Sequence, residues 1–237
     1  MGMGWTGRAW EGRQGVHRPT AARPGGALRR ATYRRWVIAT ALGELAGFTI
    51  PALAGTGVAA AGVQPAAALA LMVAAGAGEG AVLGWAQSRA LRRDLPGLST
   101  RSWTAATAAG AAVAWLIGML PSTLHDLLPA GVLLALAVPG GLVLLATIGV
   151  AQWTVLRRHV PGALTWIPAN ALGWLAGLVV VFAAIGLAPS SPPLMVACSV
   201  LGGLGMGLTV ALVTGAFLVR LLDGKMIAGH GLERSGR

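Results

Sequence analysis

Apolar positions along this chain do not recur at the period of a surface helix or alternate as in a half-buried strand. They run on in six long stretches, at 36–59, 65–88, 103–121, 130–156, 166–187 and 194–222. Each approaches or exceeds the ~20 residues that cross roughly 30 Å of hydrocarbon. The pattern predicts an all-α integral membrane protein with six transmembrane helices. Polar residues collect between the stretches in segments too short for a second folded domain, so 36–222 is expected to be one transmembrane domain. Residues 1–35 are polar, rich in Gly and Arg, and without apolar periodicity. They bury too little surface to offset their ordering entropy and are expected to be a disordered basic segment. The pairs Arg29-Arg30 and Arg34-Arg35 look like a twin-arginine signal. The apolar run after them is longer than a signal h-region, so they are taken to anchor the inner end of span 1. Residues 223–237 form a polar tail.

A two-part unit recurs along the spans. The line Trp-x-x-Ala-Thr/Asn-Ala-x-Gly begins at Trp36, Trp103 and Trp166. The line Gly-x-x-Gln-x-x-x-Leu-Arg-Arg, followed by Pro-Gly, runs from Gly84 through Gln87 to Arg92 and Arg93, and again from Gly149 through Gln152 to Arg157 and Arg158. The repeats are about 36–97, 103–162 and 166–222, and the third even-numbered span has diverged. Aligning Arg220 with Arg93 puts Thr214 where the others carry Gln. A two-span unit keeps its orientation from copy to copy. The three copies should therefore be related by rotation about the membrane normal, as a ring of three hairpins, and not by an inverted-topology axis.

The lines Gly-Val-Ala-Gln-Trp-Thr-Val-Leu-Arg-Arg (149–158) and Trp-Ile-Pro-Ala-Asn-Ala-Leu-Gly-Trp (166–174) resemble a repeat of uncharacterised bacterial multi-span membrane proteins. The resemblance implies the same two-helix architecture. No activity is known for that group, so it implies no catalytic residue.

Only 11% of residues are charged, yet the net charge is +11. Placement explains it. All 18 Lys and Arg lie before span 1, between spans 2 and 3, between spans 4 and 5, or at the end of span 6 and beyond. This positive-inside pattern predicts six spans with both termini cytoplasmic, and leaves His125 and Asp126 outside. It argues for a membrane rather than a nucleic-acid partner. Only Lys225 among the basic residues is Lys. With the abundance of Ala, Gly and Arg, this points to a bacterial gene, and so to the bacterial cytoplasmic membrane.

Glu44 and Glu79 are the candidate proton- or ion-binding residues, because an ionisable group inside a span is costly and functional by default. Glu44 lies roughly 12 Å past Trp36, and Glu79 roughly 15 Å from Arg89. Their depths are therefore similar, on adjacent helices. Two carboxylates in low dielectric do not both ionise cheaply, so the pair can bind a proton or a cation. The alternative is a packing role, with hydrogen bonds to a backbone carbonyl or Thr49. Neither Glu belongs to the repeat, for Ala111 and Trp174 stand where Glu44 does.

The polar tier Thr40, Gln87, Thr107, Gln152 and Asn170 lies within about two turns of the cytoplasmic boundary, as interhelical clips or as a polar vestibule. Glycines spaced by four, such as Gly76-Gly80-Gly84, Gly43-Gly47, Gly173-Gly177 and Gly203-Gly207, predict close helix contacts. Pro51 and Pro139 are expected to kink or break their spans. Trp36, Trp103 and Trp166 are expected to anchor at the membrane interface. Arg92, Arg93, Arg157 and Arg158 are expected to serve topology and to face anionic lipid.

Zinc-protease, nucleophile-elbow and P-loop motifs are absent, and Cys198 is the only cysteine. An enzyme is not expected, nor a metal or a cofactor. The expected partners are the bilayer, anionic headgroups at its cytoplasmic face, and a second copy of the chain or another membrane protein. Two readings stand. One is a structural or accessory bundle that binds lipid or a membrane partner. The other is a small proton- or cation-coupled transporter or channel built on Glu44 and Glu79.

Overall fold

The computed structural model describes residues 24–187 and 192–235. Among them the regular structure is helical, with no strand. The helices are α1 (Pro24–Ala61), α2 (Pro65–Leu91), α3 (Thr100–Leu124), α4 (Ala130–Leu156), α5 (Trp166–Gly186) and α6 (Pro192–Ser235), with a 3-10 turn at Ala163–Thr165 before α5. Six helices are long and apolar enough to cross a membrane, as a multi-pass membrane protein requires.

Local chemistry sets the helix starts. Pro65 opens α2, at a position whose N–H has no helical partner. Ser99 caps α3, its Oγ accepting from Ser102 N at 3.2 Å. Gly162, at φ +72°, takes the left-handed turn that leads into Ala163–Thr165. The helices run on through Pro51, Pro121 and Pro139, so Pro51 and Pro139 do not break their spans. In lipid, the backbone groups that a proline frees are satisfied again by local adjustment and by neighbouring helices.

The first helix corrects one expectation. Residues 24–35, assigned to a disordered segment, are the opening turns of α1. Contacts with other elements hold them. Thr32 Oγ1 donates to Asp94 Oδ1 at 3.0 Å, Arg35 Nη2 lies 3.0 Å from Asp94 Oδ2, and Arg29 Nε lies 2.9 Å from Asp223 Oδ2. Residues 1–23 lie outside the described residues. At the other end, the tail expected from residue 223 continues α6 as helix to Ser235.

Each helix packs on its neighbours in chain order, and α1 closes on α6, so the six form a ring. Short connections make successive helices antiparallel. One face of the ring carries the start of α1, the α2–α3 and α4–α5 connections and the arginines. The apolar core sits near that face. It contains Trp36, Leu91, Leu95, Trp103, Leu156 and Trp166, with Leu218 and Leu222 of α6. Side chains such as Leu53, Leu134, Val138 and Phe182 point outward and exposed, as a lipid-facing surface requires.

Candidate functional site

Three tiers of side chains fill the ring from the arginine-rich face inward. The first is formed by Trp36, Trp103 and Trp166, near the start of the spans of α1, α3 and α5. All three are at most 1% exposed, so they are not interfacial anchors. The indoles of Trp36 and Trp166 meet edge to face with centroids 5.5 Å apart, and those of Trp103 and Trp166 are 6.3 Å apart. They turn inward because each N–H has a buried acceptor there. Trp103 Nε1 donates to Gln87 Oε1 at 3.2 Å, Trp166 Nε1 to Gln152 Oε1 at 2.9 Å, and Trp36 Nε1 to Thr214 Oγ1 at 2.9 Å. A buried indole N–H with a partner costs little, while one facing hydrocarbon loses its bond entirely.

The second tier joins most of the polar residues singled out in the sequence. Gln152 Nε2 donates to Gln87 Oε1 at 2.8 Å and to Thr107 Oγ1 at 3.0 Å. Asn170 Nδ2 donates to Gln152 Oε1 at 3.2 Å. Thr107 Oγ1 in turn donates to the carbonyl of Trp103. Gln152 of α4 thereby ties α2, α3 and α5 together. Thr40 is equally buried but stands apart, for its hydroxyl has no partner, and neither does Asn170 Oδ1.

The third tier is the carboxyl pair. Glu44 lies one turn beyond Thr40 on α1 and is 1% exposed; Glu79 of α2 is 6% exposed. Glu44 rests on α6 where Gly207 leaves room, since a Cβ there would lie 2.9 Å from Glu44 Cγ. Its carboxyl neighbours that of Glu79. Glu79 Oε2 accepts from Trp115 Nε1 of α3 at 2.6 Å, and the Trp115 ring is seated on Gly76 of α2. Neither oxygen of Glu44 has a donor. Thr49, offered as a packing partner for Glu44, donates instead to the carbonyl of Ala46 within its own helix.

Two neighbouring acid groups, of which Glu44 has no donor, can share one proton or flank a small cation. A single proton shared by the pair supplies the missing hydrogen bond, and a small cation supplies the missing charge. Trp115 fixes one side of the site by giving Glu79 a donor of its own.

Arg92, Arg93, Arg157 and Arg158 are exposed in the two turns of the arginine-rich face, with the Arg157 guanidinium stacked 4.8 Å from the centre of the Trp153 ring. The structure brings in two residues that sequence reasoning did not place. One is Trp115, whose only mark in the sequence is a tryptophan deep within a span. The other is Asp94, the acceptor for Thr32 and Arg35, which is masked by the arginines beside it. Among the described residues, no three His, Cys, Asp or Glu side chains converge.

No protein-family model, curated protein or solved structure matches the chain.

Proposed function

We propose that this multi-pass membrane protein takes up and releases a proton or a small cation at Glu44 and Glu79, as a coupled transporter or channel does. The observation that carries the reading is Glu44 itself. Both its oxygens are buried without a donor beside a second carboxyl. Buried polar groups are nearly always satisfied, and a charge in a span is functional by default. Among the described residues, Glu44 is the one side chain that leaves two buried polar atoms without a partner, while Arg35, Thr40, Thr100, Thr104 and Asn170 each leave one.

The surrounding scaffold is proposed to be three two-helix units, at about 36–97, 103–162 and 166–222, around an axis along the membrane normal. Supporting this, Trp103 and Trp166 each bond to the even-numbered helix of the preceding unit, and Trp36 to Thr214 closes the circle. The charge distribution supports cytoplasmic termini in a bacterial cytoplasmic membrane. Glu44 breaks the symmetry at one of three related positions, which gives a single site in a threefold frame.

A structural or accessory bundle that binds lipid or a membrane partner is the second reading. The network centred on Gln152 favours it, because three helices bonded through one side chain form a static clip.

Infrared difference spectra of the reconstituted protein between acid and alkaline buffer separate the two. A protonated-carboxyl band that titrates in wild type and vanishes in Glu44→Gln, with a pH-driven dye response lost in parallel, supports the proton site. A wild-type spectrum in which Glu44→Gln removes nothing returns the pair to packing.

A further inference from the structure

We infer that the groove between the opening turns of α1 and the Ala216–Arg220 stretch of α6 binds the phosphate of an anionic phospholipid. This groove is separate from the carboxyl pair and from the arginines of the two turns. It has a volume of about 400 Å³ and is lined by Arg29, Arg30, Tyr33, Ala216, Val219 and Arg220.

Charge is the first support. Arg29 is held against α6 by Asp223, Nε to Oδ2 at 2.9 Å. Among the residues whose side chains are described, which end at Gly224, neither Arg30 nor Arg220 is ion-paired. Three guanidinium groups against one carboxylate leave two positive charges in excess on the groove. Arg220 is steadied by Phe217, its guanidinium carbon 5.9 Å from the ring centre. Guanidinium groups bind phosphate oxygens through paired N–H donors, more selectively than a point charge does.

Level and shape choose the source of the phosphate. Arg29 and Arg30 precede Trp36 by two helical turns, roughly 10 Å, which puts them at headgroup depth when the tryptophan tier lies inside the hydrocarbon. The floor of the groove is apolar. Ala216 lies one turn above Leu212, whose carbonyl accepts from Tyr33 Oη at 3.4 Å. Leu212 and Leu208 continue outward along α6, 40% and 46% exposed. A cationic rim above an exposed apolar track matches an amphiphile, with the phosphate on the arginines and an acyl chain along the leucines. Inorganic phosphate meets only the rim.

The test is thermal unfolding of the full chain in detergent, with added phosphatidylglycerol, phosphatidylcholine or inorganic phosphate. Phosphatidylglycerol is expected to raise the unfolding midpoint by mass action, and the other two to leave it unmoved at equal concentration. Arg30→Gln with Arg220→Gln is expected to abolish that rise, and Arg92→Gln with Arg93→Gln to keep it. If the Arg30/Arg220 double variant does not fold, Arg30→Gln alone, at an exposed position, is scored by native mass spectrometry and should retain less phosphatidylglycerol than wild type. An equal rise with inorganic phosphate overturns the lipid assignment. An equal rise with phosphatidylcholine overturns the phosphate-charge assignment. Equal losses in the two double variants reduce the effect to diffuse surface charge and overturn the site.

Discussion

Trp36 Nε1 donates to Thr214 Oγ1 at 2.9 Å, and the bond joins the first helix of the ring to the last. Thr214 does on α6 what Gln87 and Gln152 do on α2 and α4, with a shorter side chain. The difference is made up by the backbone. Gly215 lets the Trp36 ring come close, since a Cβ there would lie 2.9 Å from Trp36 Cδ1. Thr214→Val keeps the volume and removes the acceptor. It should lower stability by about 1–2 kcal/mol, the order of one interhelical bond plus an orphaned indole N–H. Thr214→Ser should retain most of the wild-type value. Equilibrium unfolding in mixed micelles measures both. A Val variant as stable as wild type means that the ring closes without this bond.

Glu44→Gln replaces a carboxyl that can bond Glu79 only through a shared proton with an amide that donates to Glu79 unaided. The variant should be no less stable than wild type, and about 1 kcal/mol more stable where the new bond forms. It should also lose the proton response of the reconstituted protein. Destabilisation on this substitution would make Glu44 a structural group already satisfied by a bound partner in the folded protein.

Trp115→Phe removes the donor to Glu79 Oε2 and leaves a ring to fill the seat on Gly76. A buried carboxyl left without its donor should cost about 1–3 kcal/mol. The loss should shrink in a Glu44→Gln background, where the new amide offers Glu79 a donor. Residues that share a partner typically couple by about 0.5 kcal/mol or more, so a double-mutant cycle detects the link. Additive losses would mean that Trp115 and Glu44 act on separate groups.

The six spans were legible because crossing a bilayer demands long apolar runs, and a sequence cannot hide them. The polar tier was legible as a set for the same reason, since Gln87, Thr107, Gln152 and Asn170 stand out against alanine and leucine. The direction of the tryptophans was not. An indole at that depth suits the lipid interface or a buried acceptor equally well, and only the position of Gln87, Gln152 and Thr214 across the ring decides between them. The opening turns of α1 were missed because their support comes from far along the chain. Asp94 and Asp223 hold Thr32, Arg35 and Arg29 from other elements, and no local pattern announces such contacts. Trp115 was missed likewise, for its role depends on Gly76 and Glu79 on a neighbouring helix.

Gly80 and Gly141 make the close-packing reading testable within one protein. A Cβ on Gly80 would lie 2.6 Å from Ala111 Cβ, 2.8 Å from Thr107 O and 2.9 Å from Ala108 Cα. Two of those three atoms are backbone of α3 and cannot rotate away, so α2 and α3 must separate to admit a methyl group. Gly80→Ala should therefore cost about 1–3 kcal/mol, as overpacking does, despite the better helix propensity of alanine. Glu79 is the adjacent residue, so the same displacement should lengthen its bond to Trp115 and weaken the coupling between Trp115 and Glu44. Nothing lies within 4 Å of a Cβ on Gly141. Gly141→Ala should be neutral, or stabilising by up to ~1 kcal/mol from propensity alone. Comparing the two unfolding midpoints isolates the packing contribution, because both substitutions add the same atoms to a transmembrane helix. If both variants unfold alike, α2 and α3 do not approach as closely as this geometry requires, and the seat of the carboxyl pair must be redrawn with them.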